Sequence, residues 1–113
     1  MTIVYTEKVI TQLDNIIVIL AQKVFSYNYE ARDYVERLKD EVDNSVSILG
    51  TSLPKAGKKY QTPKYGKPTH FVRYKVNAQT TWYILIKIKD DKALVTYIHN
   101  SHEKIHSIAK AKK

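Results

Sequence analysis

Three histidines close to the end of the chain are the residues best suited to acid–base chemistry. His99, His102 and His106 are spaced H-x2-H-x3-H. Because the unperturbed pKa of histidine lies near neutrality, an imidazole can take up and release a proton at physiological pH. A zinc site is a second interpretation, since His102 and His106 would share one helix face. No carboxylate or thiol motif completes that zinc site, so we predict no metal and no other cofactor. For His99, the alternative to acid–base chemistry is a structural role at the end of its strand.

Cationic and aromatic side chains alternate with apolar ones in the last third of the chain. Three β segments are predicted at residues 70–77, 81–89 and 94–100, and their short connectors favour antiparallel hairpins. Successive side chains of a strand point to opposite faces, so the apolar set is assigned to the core. This inward set comprises Val72, Tyr74, Val76, Trp82, Ile84, Ile86, Ile88, Leu94, Thr96 and Ile98. The outward set comprises Phe71, Arg73, Lys75, Asn77, Tyr83, Leu85, Lys87, Val95, Tyr97 and His99.

Cations interleaved with aromatic rings on an open sheet match the needs of single-stranded RNA. Ammonium and guanidinium groups hold phosphates, while ring faces stack on splayed bases. The polar face of any half-solvated antiparallel sheet has a similar composition, and this is the alternative. The outward face is therefore a candidate RNA-binding surface that gathers Arg73, Lys75, Tyr83, Lys87, Tyr97 and His99.

Residues 50–68 hold every glycine and every proline of the chain, together with five lysines and no acidic residue. This composition predicts a loop without secondary structure, and so long a loop is more often functional or mobile than inert. A lysine-rich solvated linker is the alternative. Lys58, Lys59 and Lys64 are the candidate substrate-binding residues of this basic loop.

Charge is distributed unevenly along the 113 residues, which carry a net charge of +8. Residues 1–48 contain five basic and eight acidic side chains, a balance of −3, whereas residues 49–113 contain fourteen basic and three acidic ones, a balance of +11. One surface should repel phosphate while another attracts it, which would orient a nucleic acid on encounter.

The first half of the chain supplies the elements that must position these groups. A strand is predicted at residues 3–6, followed by helices at 7–25 and 29–49. The first helix should bury Ile10, Leu13, Ile17, Leu20 and Val24, with Ile16 and Ile19 beside them. The second should bury Ala31, Val35, Leu38, Val42 and Leu49, with Tyr34 and Val46 beside them. With a β-meander at 69–100 and a short helix or basic tail at 101–113, the class is α+β: a helical hairpin on a small, mainly antiparallel four-stranded sheet.

The length and composition narrow the possible classes of protein. A chain of 113 residues with 43% hydrophobic and 27% charged residues is typical of one folded domain, 1–113. The absence of cysteine excludes a disulfide framework and a thiolate zinc site. The N-terminus has neither a signal-peptide pattern nor an apolar run long enough for a bilayer, so we expect a cytoplasmic protein with no membrane partner.

The order of these elements resembles the RelE/ParE superfamily of bacterial type II toxins. The stretch FVRYKVNAQTTWYILIKIKDDKALVTYIHNSHE, residues 71–103, is similar to the final hairpins of that family. In those hairpins a strand ending in a Tyr-x-Val-Asn-like motif precedes Thr-Thr-Trp-Tyr and a strand end of the Ile-x-Asn-x-His type. The likeness covers residues 3–105.

The resemblance implies an activity and roles for individual residues. Members of the RNase branch cleave mRNA in the ribosomal A site without a metal, when a ribose 2′-hydroxyl attacks the neighbouring phosphate. The implied catalytic set is Arg73, Lys75, His99, His102 and Tyr97, and the implied substrate-binding set is Lys58, Lys59, Lys64, Tyr83 and Lys87. Arg73 would stabilise the charged phosphorane, and His99 or His102 would exchange the proton. The implied partners are ribosome-bound mRNA and a cognate acidic antitoxin in a toxin–antitoxin hetero-oligomer.

Two other functions fit the sequence. The ParE branch shares the fold, acts on DNA gyrase and lacks the RNase residues. A non-catalytic RNA-binding domain would need only the basic and aromatic surface.

Overall fold

The computed structural model describes residues 1–24 and 28–101, and it has the predicted α+β architecture. The elements are β1 (Thr2–Tyr5), α1 (Glu7–Lys23), α2 (Asn28–Leu49), β2 (His70–Asn77), β3 (Thr80–Lys89) and β4 (Lys92–Asn100). Short 3-10 turns at Gly50–Ser52, Lys58–Tyr60 and Pro63–Tyr65 lie between α2 and β2. The expectation that the basic loop lacks secondary structure is therefore wrong, because these turns form local backbone hydrogen bonds.

The sheet has the strand order β1-β4-β3-β2. β2, β3 and β4 are antiparallel neighbours, whereas β1 pairs in parallel with β4, so the sheet is mixed and mainly antiparallel. The predicted C-terminal helix or tail after Ser101 lies outside the described residues. Within the described ranges, none of the helices has the length and apolarity that crossing a bilayer requires.

Helix α1 is rotated relative to the predicted apolar stripe. Thr6 caps the helix, with its hydroxyl accepting from the Val9 amide at 3.4 Å. The buried side chains of α1 are Val9, Leu13, Ile16 and Leu20. By contrast, Ile10 is 48% exposed and Val24 is 64% exposed, so their assignment to the core is wrong. Apolar residues surround most of α1, and periodicity alone does not choose between two overlapping stripes.

Helix α2 closes the other side of the core. Its buried residues are Ala31, Val35, Leu38, Val42 and Val46, close to the prediction. Leu49, expected to be buried, is 45% exposed at the last position of the helix, where Val46 makes the final core contact instead. Tyr34 accepts a hydrogen bond from the indole nitrogen of Trp82 at 2.8 Å. Burial raises the pKa of Tyr34, so this phenol stays neutral beside the indole.

Strand β4 contains a bulge that corrects the predicted alternation. Leu85 of β3 is opposite Tyr97, but the next residue, Ile86, is opposite Val95, so Thr96 is the additional residue. Ala93 and Val95 therefore join the core, whereas Leu94 and Thr96 do not face it. The predicted orientations of Leu94, Val95 and Thr96 are wrong, because a regular alternation cannot account for an extra residue.

The outer edge of β4 is paired along most of its length. β1 covers only Lys92 to Val95. Beyond it, the Gln12 side chain from α1 takes the place of a neighbouring strand, accepting from the Ile98 amide at 3.0 Å and donating to the Ile98 carbonyl at 3.1 Å. Such pairing protects an edge that would otherwise present open hydrogen-bonding groups.

Replacing Gln12 by alanine is expected to lower the free energy of unfolding by about 1–3 kcal/mol, because two backbone groups of Ile98 lose their partner. Urea denaturation followed by the fluorescence of the single tryptophan, Trp82, measures this loss. Gln22→Ala on the exposed surface of the same helix is the matched control, expected to change stability by less than about 0.5 kcal/mol. Equal stabilities for the two variants would contradict the edge-pairing role.

Candidate functional site

The outward face of the sheet aligns the predicted functional residues in rows across the strands. Arg73 of β2 is opposite Tyr83 of β3, which is opposite His99 of β4. Phe71, Leu85 and Tyr97 form the adjacent row. Residues directly opposite one another in antiparallel strands share a face, so the predicted clustering of Arg73, Tyr83, Tyr97 and His99 on one face is confirmed.

The basic loop folds back over this face, which corrects the expectation of an open sheet. Leu85 points outward with Tyr83 and Lys87, yet it is 0% exposed. Thr96 is also buried, and its hydroxyl donates to the Tyr65 carbonyl at 2.7 Å. Burial of apolar surface such as Leu85 and the ring of Tyr97 explains why a lysine-rich segment adheres to the sheet. The part of this face that stays accessible to solvent lies along β2 and at the edge of the basic loop.

The imidazole of His99 is the centre of the candidate site. Its Nε2 atom lies 2.9 Å from the hydroxyl oxygen of Tyr60 in the loop. The ring of Tyr83 stacks on it with 5.3 Å between centroids and an interplanar angle of 21°. His99 is half-buried, so the ring is held by its neighbours and still reaches solvent. A half-buried imidazole beside a phenol hydroxyl, on the same sheet face as an arginine two strands away, is suited to proton transfer at a charged substrate.

Aromatic contacts connect the loop to the sheet. Tyr60 packs edge-on against Tyr65 at 5.1 Å between centroids, and Tyr65 packs edge-on against Tyr97 at 4.8 Å. At the other end, Phe71 contacts Tyr83 at 6.1 Å. Sequence reasoning missed Tyr60 as a site residue, and it missed Tyr65 as the ring that packs the loop against the sheet. They are the two aromatic residues of residues 50–68, and this aromatic pair within a lysine-rich loop is the signal that identifies them.

Lysine ammonium groups lie against these rings. Lys59 lies 5.0 Å from the ring centroid of Tyr60, and Lys64 lies 5.2 Å from that of Tyr65. Lys8, a third residue missed by sequence reasoning, lies 5.4 Å from the ring centroid of Tyr97. These cation–π contacts place positive charge around the aromatic cluster. Each contact is weak, so a ligand phosphate can draw the ammonium group away from its ring at a small cost in free energy.

The cations of this surface are accessible to an anionic ligand. Arg73, Lys75, Lys58, Lys59 and Lys64 are exposed, and none of them forms an ion pair with a carboxylate among residues 1–24 and 28–101. A solvent-exposed guanidinium such as that of Arg73 is well suited to a phosphate group, which it can bind through two parallel hydrogen bonds.

Two predicted residues fall at the margins of the site, and a third lies outside the described residues. Lys75 is opposite Thr81, next to the Arg73 row along β2. Lys87 is opposite Leu94, four residues from Tyr83 and therefore about 13 Å along the strand from the His99 row. His102, like His106, lies outside the described residues. In the described part of the chain, no three His, Cys, Asp or Glu side chains are grouped in a way that would hold a metal ion.

Three hydrogen bonds hold the loop that carries Tyr60. Lys8 donates to the Lys64 carbonyl at 2.6 Å, and Gln61 donates to the Pro68 carbonyl at 2.6 Å. Thr96 binds the Tyr65 carbonyl, and Gly66 follows with φ of +75°. A Cβ atom at Gly66 would lie 2.7 Å from the Thr96 Cβ, so the chain approaches the β4 bulge more closely than any side chain permits.

Comparison of the chain with protein-family models, with curated proteins and with solved structures finds no match. The likeness of residues 71–103 to the RelE/ParE superfamily therefore stays a prediction from the sequence.

Gly66→Ala is expected to destabilise the protein by about 1–3 kcal/mol, because alanine is strained at positive φ and its Cβ meets Thr96. Gly57→Ala is the matched control. Gly57 has φ of −74° and no atom within 4 Å of a built Cβ, so alanine fits there. Urea denaturation measures the stability of each variant. Equal effects of the two substitutions would contradict the close contact.

Proposed function

We propose that this chain is the toxin of a type II toxin–antitoxin system and an endoribonuclease that cuts ribosome-bound mRNA. The observation that carries the proposal is the row of Arg73, Tyr83 and His99 across three strands, with the Tyr60 hydroxyl on the imidazole. The likeness of residues 71–103 to the RelE/ParE superfamily adds support. An exposed guanidinium, a stacked ring and a hydrogen-bonded imidazole on one face are the groups that cleavage at a phosphodiester requires.

The proposed reaction is attack of the ribose 2′-hydroxyl on the adjacent phosphate. The new bond from O2′ to phosphorus forms as the bond from phosphorus to O5′ breaks, which leaves a cyclic phosphate on one product and a 5′-hydroxyl on the other. Arg73 stabilises the additional negative charge of the phosphorane. His99 exchanges a proton with the attacking or the leaving oxygen. Arg73 lies two strands from His99 in the same row, so their backbones are about 10 Å apart. A phosphodiester bound between the two residues is within reach of both side chains.

The proposed RNA path runs from β2 to the loop. Lys75 and the loop lysines Lys58, Lys59 and Lys64 neutralise backbone phosphates on both sides of the row, while Tyr83 offers ring surface to a base. The acidic side chains of α2 lie on the opposite, helical side of the sheet. This polarity orients a polyanion toward the catalytic row during encounter.

The cellular setting follows from the proposal. The substrate would be mRNA in the cytoplasm, and a cognate acidic antitoxin would neutralise the basic face in a toxin–antitoxin complex. Charge complementarity between an acidic partner and the exposed lysines would favour fast and salt-dependent association.

Arg73→Ala and His99→Ala are each expected to reduce mRNA cleavage on translating ribosomes by about 10²-fold or more, because each removes a group that acts in the transition state. Cleavage is measured by primer extension on a defined message. Arg37→Ala, an exposed arginine of α2 on the other side of the sheet, is the matched control and is expected to cut normally. Circular dichroism and urea denaturation verify that the variants are folded.

Other outcomes of that assay separate the competing functions. Intact mRNA with the wild-type protein would exclude the nuclease. Salt-dependent RNA binding without cutting would identify a non-catalytic RNA-binding domain. Inhibited supercoiling in a gyrase assay, unaffected by His99→Ala, would identify the ParE-like activity instead.

The double variant Lys58→Ala and Lys59→Ala is expected to weaken RNA binding and to lower the salt dependence of the affinity. Each lost phosphate contact should reduce the slope of log affinity against log salt by about 0.7. Fluorescence anisotropy with a labelled single-stranded RNA at several salt concentrations measures the slope. The control is Lys39→Ala on α2, whose ammonium group pairs with Glu36 instead of facing the loop. An unchanged slope in the double variant would show that RNA does not pass over this loop.

A further inference from the structure

We propose that Tyr60 is a positioning residue that holds the imidazole of His99 in the orientation needed for proton transfer. The inference rests on the proposed function and names the group on which the acid–base step depends. It assigns a role to the basic loop beyond phosphate binding. The loop delivers a phenol hydroxyl to the catalytic row from outside the sheet.

The His99 ring is fixed between two aromatic side chains of different elements. Tyr83 stacks on it from the neighbouring strand, with ring planes 21° apart. Tyr60 approaches from the loop, with 5.5 Å between centroids, planes 43° apart and its hydroxyl 2.9 Å from Nε2. Stacking on Tyr83 fixes the plane of the imidazole, but a flat contact does not choose which ring edge points toward the loop. The hydrogen bond between the Tyr60 hydroxyl and Nε2 favours the orientation in which the Nε2 edge points toward the loop.

A phenol hydroxyl is suited to a histidine that changes its protonation state. When the imidazole is neutral with an unprotonated Nε2, the Tyr60 hydroxyl donates to it. When the ring is protonated, Nε2 donates to the same oxygen. A carboxylate in this position would only accept and would favour the charged ring. Because Nε2 faces Tyr60, the proton exchanged with the substrate is the one on Nδ1, and Nε2 stays hydrogen-bonded to the phenol oxygen before and after that exchange.

The loop anchors make this positioning possible. A side chain on a loosely held loop would lose the orientation it imposes, and a misplacement of 1 Å costs about 10²-fold in rate. Here the segment after Tyr60 is bound by Lys8 at the Lys64 carbonyl and by Thr96 at the Tyr65 carbonyl. Helix α1 and the bulge of β4 thus both contribute to the location of the Tyr60 hydroxyl.

The test compares Tyr60→Phe with Tyr65→Phe. Both substitutions remove one hydroxyl from the same loop and keep the ring, but only Tyr60 bonds to His99. We expect Tyr60→Phe to lower kcat for mRNA cleavage by about 10- to 100-fold with little change in KM, and to alter the pH profile of kcat. Tyr65→Phe should cut at the wild-type rate with the wild-type pH profile.

Nitrogen NMR of histidine side chains gives a readout independent of activity. The Nε2 signal of His99 should move in Tyr60→Phe and should stay unchanged in Tyr65→Phe. If the wild type cuts mRNA but the two variants have the same kcat and pH profile, the positioning role is overturned while the nuclease stands. An unmoved Nε2 signal in Tyr60→Phe overturns it as well. If the wild type does not cut, the proposed function fails, and the role of Tyr60 in that reaction fails with it.

Discussion

The bulge at Thr96 is the constraint on which the arrangement of this protein depends. β4 pairs with two strands and has to bury Val95 at one end and Ile98 at the other, although these residues are three apart. Regular alternation would put them on opposite faces, and one additional residue resolves the conflict. The same residue sets Tyr97 and His99 on the outward face, opposite Leu85 and Tyr83. The single bulge in β4 therefore directs Val95 and Ile98 into the core and also directs Tyr97 and His99 to the candidate site.

The bulge also provides the attachment point of the loop. Thr96 holds the Tyr65 carbonyl, and Gly66 passes so close to Thr96 that a larger residue would not fit. Once held there, the loop covers Leu85 and Tyr97 and brings Tyr60 to His99. An outward sheet face with apolar residues at its centre is thereby protected from water, while the cations along β2 and on the loop remain exposed. The path of the loop therefore has two consequences: it covers the apolar residues at the centre of the face, and it places the polar groups at the edge of that face.

The helices contribute by packing and by charge. They bury the inward face of the sheet, and Gln12 of α1 completes the pairing of β4 at Ile98. Lys8 at the start of α1 reaches around to the loop and to Tyr97. The exposed acidic side chains of α2 remain on the helical side. The charge split along the sequence therefore becomes a split between two sides of the sheet, which is the arrangement that steers a polyanion.

The sequence by itself determined the α+β class, the order of the elements and the outward direction of Arg73, Tyr83 and His99, because short-range patterns of period 2 and 3.6 decide these features. It did not decide which stripe of α1 is buried, since Ile10 and Val9 satisfy similar helical patterns. Nor did it reveal the bulge, which follows from simultaneous packing of β4 against β3 and the core. The contacts of Tyr60 with His99 and of Lys8 with Lys64 join residues far apart in the chain, and only the tertiary structure decided them.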